Sequence, residues 1–125
     1  MRLTVKDPYT ILAAAMANTS TVHIAIAEDK PALASLMRET VELGKDFHVS
    51  LIAPNGQSLL EQIKAMNRRP DVVLMDIQMP VMNGIVATSE LKAAFPEIKI
   101  VMATVFDDKQ HIFDAILVGA DGYLR

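Results

Sequence analysis

The sequence contains no cysteine and no tryptophan, and only 5% of its residues are aromatic. Without cysteine there can be neither a disulfide framework nor a thiolate metal site. The chain has no uninterrupted stretch of about 18 apolar residues that could cross a membrane, and no basic-plus-apolar leader opens it. We therefore expect a cytoplasmic protein that makes no contact with membranes.

A strong positive charge is also lacking, because the formal net charge is -3 and no cluster of basic residues is larger than Arg68-Arg69. Binding to the phosphate backbone of nucleic acid needs a positively charged surface, so these residues are not expected to contact DNA or RNA. Hydrophobic residues make up 51% of the chain and charged residues 22%, a composition that excludes disorder. The 125 residues fit one globular domain.

Short apolar runs alternate with amphipathic stretches along the chain. This pattern is typical of repeated strand-helix units and predicts an α/β fold with a parallel sheet covered on both faces. The first helix is expected to begin after Asp29 and Pro31, a cap and first-turn pair, and the other helices each end at a glycine or proline. Five strands are predicted, over residues 22–27, 47–53, 72–75, 98–103 and 122–124.

The two ends of the chain raise a question about how the sheet is covered. Residues 1–21 form an N-terminal extension in which Asp7-Pro8, followed by YTILAAAMA, indicates a short capped helix. Arg125 follows the fifth strand directly, so the last helix of a doubly wound sheet is missing from this sequence. Two alternatives stay open: the N-terminal helix packs on the uncovered face, or the extension is unstructured, since short Ala-rich segments are marginal alone.

Acidic side chains follow two of the predicted strands. Glu28-Asp29 comes directly after the first strand, and Asp76 ends the apolar run of the third. Ligands of open parallel sheets bind beyond the carboxyl ends of the strands, so these three acids are expected at one edge. Two carboxylates ~4 Å apart repel by roughly 4 kcal/mol at an effective dielectric of ~20, and a cation relieves this repulsion. Oxygen ligands without His or Cys favour Mg²⁺.

Asp76 is the candidate for chemistry within this group. A carboxylate held at a rigid strand end beside a divalent ion can act as a nucleophile toward phosphorus. Pro80 and Asn83-Gly84 then allow the chain to turn sharply away from the site. Each feature taken singly also has a plainer interpretation, since Asp76 could form a turn and Glu28-Asp29 could cap the first helix.

Four stretches in combination, AIAEDKPAL, PDVVLMDIQMPVMNG, IVMATVFDD and GADGYL, resemble the receiver domains of two-component response regulators over about residues 22–125. The last part of the chain is most similar to the LuxR/NarL-type subgroup. The resemblance implies a flavodoxin-like doubly wound sheet with strand order 2-1-3-4-5. It also implies a signalling switch rather than an enzyme, in which a histidine kinase phosphorylates Asp76.

The same resemblance implies roles for further residues. The Mg²⁺ ligands would be Glu28, Asp29, Asp76 and the backbone carbonyl of Gln78. Thr104 would contact a phosphoryl oxygen, and Tyr123 would be an aromatic switch that follows it. On the fourth helix, Ile112, Phe113 and Leu117 are candidates for an interface, because receivers commonly form homodimers or contact their output domain through the fourth helix and fifth strand.

One position departs from the family pattern. Receivers carry a Lys two residues past the leucine of GYL, and this sequence stops at Arg125, one residue short. Successive strand side chains point to opposite faces, so Arg125 is a poor substitute. We expect residues 22–125 to be a receiver truncated after strand five, whose parent continues into a DNA-binding output domain.

Two other functions remain as alternatives. A receiver-like interaction module that is never phosphorylated would be consistent with the missing Lys. A Mg²⁺-dependent phosphohydrolase working through an aspartyl-phosphate is disfavoured, because such enzymes usually place an Asp two residues after the nucleophile, where this chain has Gln78.

Overall fold

The computed structural model describes Ile11, residues 21–103 and residues 109–124, without the side chains of residues 109–112. Strands and helices alternate strictly within these residues, as the hydrophobic pattern predicts. The strands are β1 (Val22–Ala27), β2 (Phe47–Ala53), β3 (Val72–Met75), β4 (Lys99–Ala103) and β5 (Gly122–Leu124). The helices are α1 (Pro31–Glu42), α2 (Gly56–Ala65), α3 (Gly84–Ala94) and α4 (Lys109–Leu117).

All five strands form one parallel sheet with the order β2-β1-β3-β4-β5, which confirms the expected topology. The strand order reverses between β1 and β3, which are neighbours in the sheet. In such sheets ligands bind outside the carboxyl ends of the strands at the point of reversal. The topology therefore places the functional edge beyond Ala27 and Met75.

Strand β4 begins one residue later than predicted, at Lys99 instead of Ile98. The N–H of Ile98 donates to the carbonyl of Phe95 across a turn (3.1 Å). The N–H of Lys99 instead donates to the carbonyl of Asp71 (3.0 Å), the residue just before β3, so the hydrogen bonds between the two strands begin there. Ile98 is buried all the same. Its apolar side chain extended the hydrophobic run by one residue beyond the hydrogen-bonded ladder.

The helix starts differ in how they are capped. Asn55 and Asn83 act as N-caps of α2 and α3, since their side chains accept hydrogen bonds from the N–H groups of Ser58 (2.8 Å) and Val86 (2.9 Å). Helix α1 was expected to use Asp29 as its cap, and this prediction is wrong. Its N-cap is Lys30, which makes no side-chain cap hydrogen bond, although Pro31 does open the helix. Asp29 is therefore free of a capping role.

Each face of the sheet carries its own apolar cluster because strand side chains alternate. The larger cluster joins one face to helices α2, α3 and α4 and includes Leu59, Leu91 and Ala115. The opposite face carries the second cluster, whose buried members are Ile11, Val22, Ile24, Ile26, Val49, Val72, Leu74 and Val101. Helix α1 packs on this second face along β1 and β2.

Ile11 is a helical residue that is only 3% exposed within the second cluster. Val72 and Val101, on β3 and β4 of the same face, are fully buried as well. Val72 and Val101 lie on the part of the face where a doubly wound sheet would carry its last helix, and Ile11 belongs to the same buried cluster. Among the residues described, no helix is long and apolar enough to cross a membrane.

Candidate functional site

The three predicted acids lie together at the carboxyl edge of the sheet. The backbone N–H of Glu28 donates to the carbonyl of Ala53 (3.0 Å), and the N–H of Asp76 donates to the carbonyl of Ala27 (3.0 Å). The ends of β1, β2 and β3 are thus held in register. One carboxylate oxygen from each of Glu28, Asp29 and Asp76 lies within 4.8 Å of the others. The convergence inferred from the strand ends is confirmed.

Two of these carboxylates are withdrawn from solvent, since Glu28 and Asp76 are each 3% exposed. Burial raises the pKa of Glu28, and the nearby charge of Asp76 and a side-chain hydrogen bond with Asp29 raise it further. The backbone N–H and the ammonium group of Lys30 act in the opposite direction. The site therefore concentrates negative charge in a place where water provides little screening.

Asp76 has a fixed orientation. Its Oδ1 accepts a hydrogen bond from the N–H of the next residue, Ile77, at 2.9 Å. Residues Val72 to Met75 before it are all buried in the sheet, so the carboxylate stands on a rigid support. A positioned carboxylate of this kind suits nucleophilic attack because little motion is needed to bring it to a reacting atom.

The donor set fits a hard divalent cation. Asp29 Oδ1 is buried and accepts no hydrogen bond from the residues that the structure describes. A buried carboxylate oxygen without a hydrogen bond is costly unless a cation approaches it, and the ammonium group of Lys30 lies 3.6 Å away, beyond hydrogen-bond distance. Three carboxylates with oxygens this close, and with no His or Cys among them, have the chemistry of a Mg²⁺ site.

Lys30 is a member of this site that the sequence reasoning missed. Its Nζ lies 3.6 Å from Asp29 Oδ1 and 4.0 Å from Glu28 Oε2, and its backbone N–H donates to Glu28 Oε2 at 3.0 Å. The adjacency of acids and lysine in AIAEDKPAL was a visible signal. It was overlooked because residues adjacent in sequence usually point in different directions.

The loop after Asp76 turns as predicted and depends on Gly84. A Cβ at this position would lie 2.0 Å from the carbonyl oxygen of Asp76, so only glycine allows helix α3 to begin this close to the site. The N–H of Gly84 donates to the carbonyl of Ile77 (2.8 Å), and the N–H of Gly56 donates to that of Met82 (2.9 Å). These bonds tie the loop to both α3 and α2.

Val81, in the same loop, has a strained backbone conformation. Its φ of 68° lies in the left-handed region, which a β-branched side chain rarely adopts, and its side chain is highly exposed. Strain of this kind persists only where surrounding hydrogen bonds determine the backbone. Here the neighbouring bond from the N–H of Met82 to the carbonyl of Pro80 (2.7 Å) closes the turn.

The other predicted site residues are brought together only in part. Gln78 lies in the loop two residues after Asp76 and is exposed. Tyr123 lies on β5, half-buried against the larger apolar cluster. Thr104 and Arg125 lie outside the described residues, so their predicted roles stay predictions.

The predicted interface residues lie on helix α4. Phe113 and Leu117 are one turn apart and are 46% and 58% exposed. The side chain of Ile112 lies outside the described part of the chain. Two exposed large apolar side chains on one helix are consistent with a contact surface.

Comparison with known proteins gives consistent results. The family model for the response regulator receiver domain matches residues 24–125. The sequence is 36% identical over 107 residues to the uncharacterized transcriptional regulatory protein YxjL of Bacillus subtilis (strain 168), an alignment that covers 86% of this chain and 48% of the relative. The chain thus spans about half the length of that curated relative.

Solved structures are similar as well. A DNA-binding response regulator of the LuxR family from Staphylococcus aureus aligns with a TM-score of 0.75 and 29% identity, covering 82% of this chain and 84% of the other. The signal receiver domain of the putative response regulator NarL from Mycobacterium tuberculosis aligns with a TM-score of 0.77 and 25% identity, covering 85% and 84%.

Proposed function

Because the chain belongs to the response regulator receiver domain family and resembles its LuxR/NarL-type members, we propose that it accepts a phosphoryl group on Asp76 from a histidine kinase. The observation that carries this proposal is the convergence of three carboxylates within 4.8 Å, with Asp76 at the end of a buried strand. Membership of this family makes the chain a regulatory receiver domain. The phosphoryl transfer itself is our proposal.

The chemistry follows from the position of Asp76. A carboxylate oxygen attacks phosphorus, the bond from phosphorus to the donor's imidazole nitrogen breaks, and its electron pair returns to that nitrogen. The product is an acyl phosphate on Asp76. The hydrogen bond from Ile77 to Oδ1 holds the carboxylate in place, and the site's burial limits the water that could compete.

Mg²⁺ would be held by Glu28, Asp29 and Asp76, together with the backbone carbonyl of Gln78. Bound there, the ion would offset the charge of the carboxylates and of the incoming phosphoryl oxygens. Without such a cation, a dianionic phosphoryl group would approach three acids, and repulsion would oppose the reaction. Asp29 Oδ1, which is buried and accepts no hydrogen bond from the described residues, supports this assignment.

Signal transmission would follow the added charge. The acyl phosphate carries nearly two negative charges in place of the single charge of the Asp76 carboxylate, and we propose that Thr104 moves toward the phosphoryl oxygens and that Tyr123 then turns inward. Tyr123 is half-buried on β5, paired in register with Met102 on β4, the strand that precedes Thr104. This pairing supports a coupling between the two residues.

The state of Asp76 would be relayed in the full-length protein to a DNA-binding output domain. This part of the proposal draws on the relatives, which are transcriptional regulators about twice as long as this chain.

Phosphorylation can be tested on the chain itself. The protein is incubated with acetyl phosphate and Mg²⁺, then analysed by Phos-tag gel retardation and intact mass. We expect one added phosphoryl group on the wild type, none on Asp76→Asn, and none in EDTA. Asp46→Asn, at the opposite edge of the sheet, is the matched control and should react like the wild type. Equal labelling of Asp76→Asn would refute the proposal, and no labelling of the wild type would favour an interaction module.

We also propose that Phe113 and Leu117 contribute to a homodimer through α4 and β5. Their exposure on adjacent turns supports this assignment, as does the exposed Leu124 on β5. Sedimentation velocity of phosphorylated protein should show dimers that Phe113→Ser/Leu117→Ser lacks. Leu36→Ser/Leu43→Ser removes two exposed apolar side chains from α1 and its C-cap and should retain them. Equal self-association of all three proteins would rule out this surface.

A further inference from the structure

Lys30 places a positive charge against the acid cluster from within the chain. Its Nζ is 3.6 Å from Asp29 Oδ1 and 4.0 Å from Glu28 Oε2. The side chain caps no helix end, although Lys30 is the N-cap residue of α1. It is also 60% exposed, so the ammonium group can leave the acids for solvent without disturbing buried packing.

We propose that Lys30 is a built-in counter-ion that competes with Mg²⁺ and thereby sets the metal affinity of the site. This inference rests on the proposed metal site. The atom nearest to the ammonium group, Asp29 Oδ1, is also the buried oxygen that accepts no hydrogen bond among the described residues. The ammonium group of Lys30 and a bound Mg²⁺ ion would therefore compete for Asp29 Oδ1.

The physical consequence follows from charge alone. In the metal-free protein the ammonium group offsets part of the repulsion among three carboxylates. When a divalent ion occupies the cluster, two like-charged groups lie within a few ångströms, and the lysine must move outward. Because the side chain is largely exposed, water and salt screen this repulsion. We expect Lys30 to weaken Mg²⁺ binding by about three- to tenfold, the range for exposed charges at short distance.

The substitution Lys30→Gln isolates this charge. Glutamine keeps a long polar side chain, and the backbone N–H that donates to Glu28 Oε2 is unchanged. Asparagine is avoided because it would add a favourable N-cap to α1. Lys45→Gln removes the same charge from an exposed residue in the loop before β2, at the opposite edge of the sheet, and is the matched control.

The first measurement is the Kd for Mg²⁺ by isothermal titration calorimetry. Lys30→Gln should bind about three- to tenfold more tightly than the wild type, and Lys45→Gln should stay within about twofold of it. Equal or weaker binding by Lys30→Gln would overturn the role of Lys30 while leaving the metal site intact. Absence of binding by every protein would overturn the metal site and the inference together.

A second measurement needs no metal. In EDTA, Lys30→Gln should unfold at a lower temperature than the wild type, because the acids lose their counter-ion. The difference should shrink strongly when both proteins also carry Glu28→Gln and Asp29→Asn, since the two carboxylates that the Lys30 ammonium group faces are then neutral and only Asp76 remains charged. An unchanged Tm in EDTA, or an equal loss in the doubly neutralised background, would show that Lys30 is not the counter-ion of these acids.

Discussion

Neutralising Asp76 should stabilise the metal-free protein, because the substitution removes a buried negative charge that lies close to two other carboxylates. The three carboxylates have oxygens within 4.8 Å of one another, and Asp76 takes part in two of the three pairs. At an effective dielectric of ~20, one pair at this distance repels by about 3 kcal/mol. The ammonium group of Lys30 offsets part of the negative charge of the cluster. We therefore expect Asp76→Asn to raise the free energy of unfolding by about 1–2 kcal/mol.

The substitution is isosteric, which makes the sign informative. Asn retains an Oδ1 that can accept the hydrogen bond from the N–H of Ile77, so the strand end keeps its geometry. A gain of about 1–2 kcal/mol corresponds to a rise in Tm of about 4–8 °C for a domain of this size. Thermal unfolding followed by far-UV circular dichroism in EDTA measures it.

Addition of Mg²⁺ should reverse the ranking. The wild type should gain stability by binding the ion, whereas Asp76→Asn has lost one ligand and should gain less. Asp46→Asn should follow the wild type within about 0.5 kcal/mol under both conditions. A lower Tm of Asp76→Asn in EDTA would refute the reasoning, because it would mean that the three carboxylates do not repel one another appreciably in the folded state.

Three further perturbations test other parts of the structure. Gly84→Ala should destabilise the protein by about 3 kcal/mol in urea unfolding, because its Cβ would lie 2.0 Å from the Asp76 carbonyl oxygen; a loss below about 1 kcal/mol would contradict this contact. We propose that residues 1–21 include a short helix that covers the second face. Ile11→Ala should then lower the free energy of unfolding by about 2–4 kcal/mol, whereas Leu36→Ala, at an exposed position, should lower it by less than about 1 kcal/mol. Deletion of residues 1–18 with no change in Tm would reject this proposal. The folded-state pKa of Glu28 is raised, so its contribution to stability is fully present below its ordinary pKa and is lost as pH rises through the folded value. In EDTA, Glu28→Gln should therefore flatten the fall in stability as pH rises above the ordinary pKa of 4.5, and an unchanged pH profile would contradict the direction of the shift.

The hydrophobic pattern alone determined most of the architecture. Four of the five strands have the predicted bounds, because buried parallel strands are short apolar runs that glycine and proline separate from amphipathic helices. The strand order, which the sheet also has, was implied by the resemblance to receiver domains and not by this pattern. The convergence of Glu28, Asp29 and Asp76 was also predictable. Parallel strands bring their carboxyl ends to one edge, so position along the chain is enough to assign these acids to one site.

Tertiary structure decided what surrounds those acids. Side-chain direction and burial depend on packing that no local pattern encodes, so the approach of Lys30 to Asp29 Oδ1, and the lack of a hydrogen bond to that oxygen among the described residues, became visible only in three dimensions. The same holds for Gly84, which the sequence indicated as a turn residue and the structure shows against the carbonyl of Asp76. The sequence determined which acids would lie together, because the position of each acid directly after its strand can be read from the local pattern. Their distances, shielding and counter-ions came from the fold, because these depend on contacts between segments far apart in the chain.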